Sequence, residues 1–288
     1  MFSAVRARQD IAAIAHAPRP LSSREHERVR DFLVGALRRM RLTTEIQQAI
    51  AVSQGPKNRN AATVQNIVGR LSGTASTRAL LLVAHYDSVP TSPGASDNAA
   101  GIATILETLR SIRATAPLRN DLIVLFTDGE ELGLLGSQAF VAQHRWANDV
   151  GVVLNFDARG SSGPSLMYQA STGGGWLIRA LTQTTPAPPA ASILAEFAKL
   201  AAGPSDFVVF DRAGMPGLDF AYIGDWPNYH TRRDTPDTLD PRSVQQHGDT
   251  ALALTHRLGQ MNLQQAEAGD VVYFNLVGPW LVSYPVTW

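Results

Sequence analysis

Two histidines and several carboxylates recur in this chain where apolar runs stop. His85 follows Leu80-Leu81-Leu82-Val83-Ala84, and Glu130 and Glu131 come one short turn after LIVLFT (122–127). Asp157 follows VGVVLNF (150–156), and His230 lies in the loop after the apolar stretch 217–223. Asp97 opens the helical pattern that comes after His85. Short apolar runs bounded by turn residues read as strands buried on both faces. Groups just past the carboxyl ends of such strands converge where open α/β sheets hold ligands. Imidazole and carboxylate without cysteine form a nitrogen and oxygen donor set suited to zinc, with cobalt or manganese as substitutes. One His or Asp at a strand end is usually a cap or a surface group. Five such residues in register at one sheet edge point to a metal centre.

The adjacent acids Glu130 and Glu131 cannot both face one ion, so one reads as a ligand and the other as a proton-transfer base. Zinc lowers the pKa of a bound water to about 7, and a carboxylate beside it can take the proton as the water attacks a carbonyl. A carboxylate bridging two ions about 3.5–4 Å apart would hold that water and the substrate oxygen together.

The elements that must position these groups alternate along the chain. Val5, Ile11, Ile14 and Ala15 have helical spacing, closed by Pro18 and Pro20. Ser22 with Glu25 forms a capping-box pattern before a helix to about Met40, with Val29, Phe32, Leu33 and Leu37 inward. Strands are expected at 43–52 and 62–70, then at the runs ending in His85, Thr127, Phe156 and Ile223, with LMYQ between the last two. Helices are expected from Asp97 to about Arg113, from Leu135 to Trp146, from near Gly175, and from Pro241 to about Met261. Ser205-Asp206 reads as a helix start before FVVF, and TTPAPPAA (184–191) as a surface loop. This alternation predicts one α/β domain over residues 1–288, with a largely parallel sheet covered on both faces. Residues 1–42 supply its N-terminal helices, and the apolar segment 270–288 reads as a buried edge strand or a membrane-proximal piece.

Composition sets wide bounds. The 288 residues are 44% hydrophobic and 17% charged with a formal net charge of zero, so nothing global points to nucleic acid. The first 42 residues carry nine Arg against four acids, which reads as a solvated helix face. No cysteine is present, which excludes disulfides and thiolate-bound metal. Neither a signal peptide nor a run of 18 apolar residues is visible.

HYDS, GASDNAAG, DGEELGLLGS, NFDARG and YHTRRDTPD, in that order, resemble the zinc aminopeptidases of peptidase family M28 over roughly residues 63–260. The resemblance implies a three-layer α/β/α sandwich with a mixed, mostly parallel sheet of about eight strands, and a site for two zinc ions. Asp97 would bridge the metals. His85 and Asp157 would complete one, Glu131 and His230 the other, with Glu130 as general base and Tyr229 donating to the tetrahedral oxyanion. The Asp97–Asn98 peptide is often cis in this family. The implied activity is removal of N-terminal residues from a peptide with a free N-terminus.

Around these ligands, Asp87 is placed to orient His85 and Asp234 to orient His230, since a metal-bound imidazole usually donates its other N–H to a carboxylate. Arg159 reads as a surface residue, and His16, His26, His144, His247 and His256 as structural. The opening PRPLSSREHERVRDFL, YHTRRDTPD and the tail VVYFNLVGPWLVSYP resemble a branch of endoplasmic-reticulum and vacuolar membrane metallopeptidases, although that branch often has Glu where this chain has Asp157. The branch implies an extracytoplasmic location and membrane association through segments not in this chain. Two other functions compete: a mono-zinc glutaminyl-cyclase-like acyltransferase, which typically reads Asp-Ser at the bridge, and a non-catalytic binding domain of the same fold.

Overall fold

Uninterrupted apolar runs build the centre of the molecule. β3 (Ala79–His85), β4 (Leu122–Thr127) and β5 (Val150–Phe156) are buried at every residue, as strands covered on both sides must be. The structure is a computed structural model that describes residues 1–53, 59–184, 188–192, 203–264, 269–277 and 280–286. In it β3 pairs in parallel with β4 and β5, and β7 (Gly217–Ala221) pairs in parallel with β5. Antiparallel strands complete both edges: β2 (Ala61–Leu71) with β1 (Thr43–Val52) outside it, and β6 (Leu166–Ala170) on β7. The order is β1-β2-β4-β3-β5-β7-β6, a seven-stranded mixed sheet with a parallel centre.

Alternation along β3 sends Leu80, Leu82 and Ala84 to one face and Leu81 and Val83 to the other. The first face is covered by α1 (Ala4–Ile14), α2 (Arg24–Arg39), α3 (Gly101–Arg113), α5 (Gly175–Thr182) and α7 (Pro241–Gln260). The second face carries α4 (Leu135–Gln143) and α6 (Phe207–Arg212), whose Phe140, Phe207 and Phe210 pack on the odd-numbered β3 residues. The result is a three-layer α/β/α sandwich.

Several boundaries differ from expectation for local reasons. Val5 is 74% exposed while Ala7, Ile11 and Ile14 are buried, so small residues replace it on the inward face of α1. The α2 cap is Ser23, which accepts from His26 N, whereas Ser22 has φ 67. Between Gly94 and α3 lies a wide turn, Ala95–Ala100, with non-helical backbone at Asp97 and Asn98, so the regular helix starts at Gly101 and not at Asp97. The helix after Leu134 stops at Gln143 because His144 turns extended and opens a 3-10 turn over Arg145–Asp149. The C-terminal segment does not join the sheet as an edge strand. β8 (Val271–Val277) and β9 (Trp280–Pro285) pair with each other, leaving Trp280, Val282 and Tyr284 exposed. Residues 185–187 of TTPAPPAA lie outside the described residues. No helix among the described residues is long and apolar enough to cross a membrane.

Candidate metal centre

The carboxyl ends of β3, β4 and β5 deliver His85, the Glu130-Glu131 pair and Asp157 to one edge of the sheet. Asp97 reaches the same point because the chain folds back at Gly94, where φ is 63 and a Cβ would stand 2.2 Å from the Asp97 carbonyl oxygen. Only glycine fits there. The Asp97–Asn98 peptide is cis. Asn98 then ties this turn to the sheet, its Nδ2 donating to the Phe156 carbonyl at 2.8 Å. His230 arrives from the loop after β7 with φ 59.

Asp97 stands between the two histidines. Its Oδ1 is 2.9 Å from His85 Nε2 and its Oδ2 is 3.0 Å from His230 Nε2. Asp157 Oδ1 lies on the His85 side, 3.6 Å from Nε2, and Glu131 Oε2 on the His230 side, 3.2 Å from Nε2. Glu130 sits beside them at the β4 turn. The Tyr229 ring stacks on His230, with centroids 3.7 Å apart, and its hydroxyl is 3.4 Å from Arg159 Nη1. All of the predicted site residues are therefore gathered at one place.

The surrounding groups differ from expectation. Asp87 does lie near His85, its carbonyl 3.2 Å and its Oδ1 3.6 Å from Nδ1. Its carboxylate mainly serves the next strand end, accepting from the backbone N–H of Glu130 at 3.1 Å and of Glu131 at 3.2 Å. Asp234 does not orient His230 by any hydrogen bond found among the described residues. It accepts from the N–H groups of Ser96 and Asp97, at 2.7 and 3.1 Å, and so fixes the turn that carries Asp97. Arg159 is no free surface group: Nη2 donates to the Gly203 carbonyl at 2.7 Å, and the guanidinium lies 5.9 Å from the Tyr229 ring centroid. His26 is structural, yet it stands at the site's border, 2.7 Å from Asp128 of the DGEE turn.

Two residues carry more than the sequence suggested. Arg19 is fully buried and ties down the loop after His85. Its guanidinium donates to the carbonyls of Tyr86 at 2.7 Å, of Gly94 at 3.0 Å and of Pro93. Asp206, expected as a helix cap, makes no such bond; it is buried and accepts from Thr127 Oγ1 at the end of β4. Neither has a periodic or motif signal in the sequence. An arginine between two prolines was the one cue for the first.

The donor set fits divalent metal on three observations. His85, Asp97 and Glu131 each bring a ligand atom, all within 4.8 Å of one another. His230 Nε2 and Glu131 Oε1 are buried without a hydrogen-bond partner, although His230 Nε2 has two carboxylate oxygens nearby. Buried acceptors converging without donors are what a cation satisfies. The charge balance agrees. Burial and the Asp97 charge push the Glu131 carboxyl up to about 7. Burial, with Asp157, Asp206 and Glu131, pushes Glu130 well above the usual carboxylate range, against the pull of His85. Burial opposes charge on His230, but Asp97 and Glu131 outweigh it and raise the imidazole to about 10. These shifts are those of a cluster with more carboxylate than its own cations balance, an excess that a divalent ion would relieve.

Comparison with known proteins places this geometry. The profile of peptidase family M28 matches residues 66–255. Rat endoplasmic reticulum metallopeptidase 1 is 33% identical over 231 residues, covering 77% of this chain and 26% of that protein. Vacuolar membrane protease of Lachancea thermotolerans is 28% identical over 298 residues, covering 95% of this chain and 30% of that protein. The chain thus spans between a quarter and a third of the length of these relatives. In fold it is similar to glutaminyl cyclase of Porphyromonas gingivalis (TM-score 0.70, 22% identity, 88% of this chain and 97% of that one). It is equally similar to a zinc aminopeptidase of Bacillus subtilis (TM-score 0.71, 18% identity, 93% and 98%). With the motifs in order and the profile covering most of the sheet and its site, the chain belongs to peptidase family M28.

Proposed function

We propose that this chain is a two-zinc exopeptidase that removes the N-terminal residue of a peptide. The observation that carries the reading is Asp97, which turns one carboxylate oxygen toward each histidine, with Asp157 beside the first and Glu131 beside the second. This is the layout of two three-residue ligand sets sharing one bridge. Asp97, His85 and Asp157 would hold one ion, and Asp97, Glu131 and His230 the other. Zinc in such a site supplies Lewis acidity and brings the pKa of a water down to about 7.

The other residues supply the proton transfers and the charge control. Glu130 is the general base: its carboxylate takes the proton of the attacking water and passes it to the leaving amine nitrogen. Its carboxyl is buried within reach of the charges of His85 and Asp157, a position from which a base beside the proposed ligands can act. Asp87 holds the backbone of Glu130 and Glu131 and keeps base and ligand at a constant offset. Tyr229, with Arg159 at its hydroxyl, donates to the oxyanion of the tetrahedral intermediate.

The test is metal content and turnover together. Purified protein should hold two zinc equivalents per chain, hydrolyse leucine arylamide, and lose activity on chelation. Glu130→Gln should bind both equivalents while turnover falls about a thousandfold or more. Cyclisation of N-terminal glutamine with one zinc equivalent would assign the chain to the acyltransferase class instead.

A further inference from the structure

β3 and β4 run side by side toward the site, and their register ends at His85 and Thr127. One further backbone bond joins the Tyr86 N–H to the Thr127 carbonyl at 2.9 Å. The chain then reaches Glu130 through Asp128 and Gly129, and Gly129 has φ 68, a left-handed backbone that glycine adopts without strain. The direction in which Glu130 leaves the strand therefore depends on what holds Asp128 and the loop after His85.

A closed circuit of contacts holds both, and it runs through α2. His26 is 3% exposed, and its Nε2 donates to Asp128 Oδ1 at 2.7 Å. Asp128 Oδ2 accepts from the Gln65 N–H of β2 at 2.7 Å. The Gln65 carbonyl accepts from the Tyr86 hydroxyl at 2.9 Å. The Tyr86 ring stacks on the His26 ring, with centroids 4.6 Å apart, and closes the circuit. Tyr86 stands between His85 and Asp87, and Asp128 two residues before Glu130. One imidazole thus touches the roots of both strand-end loops. A phenyl ring could stack there but not bond, and a carboxamide could bond but not stack. The helix gives His26 a firm seat: its N–H is held by Ser23 Oγ at 3.1 Å, and Val29, Leu33 and Leu37 of α2 are buried.

We propose that His26 is a positioning residue, which fixes the Glu130–Glu131 turn against His85 by tying Asp128 to Tyr86. The kinetic consequence rests on the exopeptidase reading, in which Glu130 moves the proton. His26 acts through Asp128 and Tyr86, and Asp87 holds the two glutamate N–H groups inside the frame that the circuit builds. Without the imidazole, Asp128 Oδ1 is a buried acceptor that has lost its donor, and the turn can swing at Gly129.

Hydrogen exchange in the purified full chain, followed by NMR, reads this without turnover. His26→Phe should speed exchange of the Glu130 and Glu131 amides about tenfold, the loss of one charge-assisted bond, while the amides of β3 and β4 keep the parent's protection. His26→Gln, which keeps a donor for Asp128, should recover most of the difference. Tyr86→Phe opens the circuit on its far side and should loosen the same two amides, so the test stands even if His26→Phe fails to fold. In protein loaded with both zinc equivalents, His26→Phe should lower kcat for leucine arylamide about tenfold at unchanged KM, and His26→Gln should restore most of it. Unchanged exchange at the two amides, faster exchange throughout the sheet alike, or a loss carried by KM would overturn the proposal. Turnover by the unaltered protein judges the exopeptidase reading separately: its absence removes that reading, and the exchange pattern still decides whether His26 holds the turn.

Discussion

Asp97 concentrates the site in one side chain. One oxygen faces His85 and the other faces His230, and its own N–H is held by Asp234. Burial works against charge on its carboxyl, yet the two histidines hold it below the usual carboxylate range. Replacing it should therefore disturb both ligand sets together. Asp97→Ala is expected to lose at least one of two zinc equivalents by elemental analysis, and an unchanged count would rule out a bridging role. Glu131→Gln should be milder in this respect, because the His85 side of the cluster keeps its own donors.

Elements place these residues through contacts that the sequence reveals unevenly. β3, β4 and β5 were legible because strands buried on both faces leave uninterrupted apolar runs, and the groups at their ends followed. The turn over Ala95–Ala100 was not, since its small residues declare no face and the helical period starts only at Ile102. Asp206 looks the same in sequence whether it caps α6 or turns inward to Thr127, and the structure takes the second course. Arg19 was nearly silent for another reason: apart from its place between two prolines, a single Arg in an Arg-rich segment carries no period. Its guanidinium nevertheless bonds three carbonyls of the loop between His85 and Asp97. Burial lowers its pKa, and the charges of Asp87, Asp97, Asp234 and Glu131 oppose that shift. Arg19→Met should leave those carbonyls unpaired and cost about 3 kcal/mol or more. Thermal unfolding measures the loss, and zinc affinity should fall with it because the loop sets the distance between two proposed ligands, His85 and Asp97.

For the whole molecule, stability should depend on acid through a residue that is not one of the proposed ligands. His247 of α7 is buried edge-on to Phe156 and Tyr222, with Nδ1 2.7 Å from Ser165 Oγ, and burial lowers its pKa to about 3. The unfolded chain takes up a proton near 6.5 that the folded chain refuses until about 3. Stability is then complete above 6.5 and declines as pH falls toward 3, by on the order of 5 kcal/mol at the limit. Denaturant titrations of the parent and His247→Gln between pH 3 and 7 should converge at the acid end; parallel curves would reject the assignment. The layers themselves bind this helix to the sheet core, so the loss should appear as global unfolding rather than local fraying.

The two bonds from Asp87 to the backbone of Glu130 and Glu131 have a further consequence. On the proposed reading, a ligand and a base on neighbouring residues would share one fastener, and neither could be adjusted alone. Any change that slackens it should then move metal affinity and proton transfer in the same direction. A library selected for tighter zinc binding at this turn should enrich for faster hydrolysis as a by-product, and variants that trade one property against the other should be scarce.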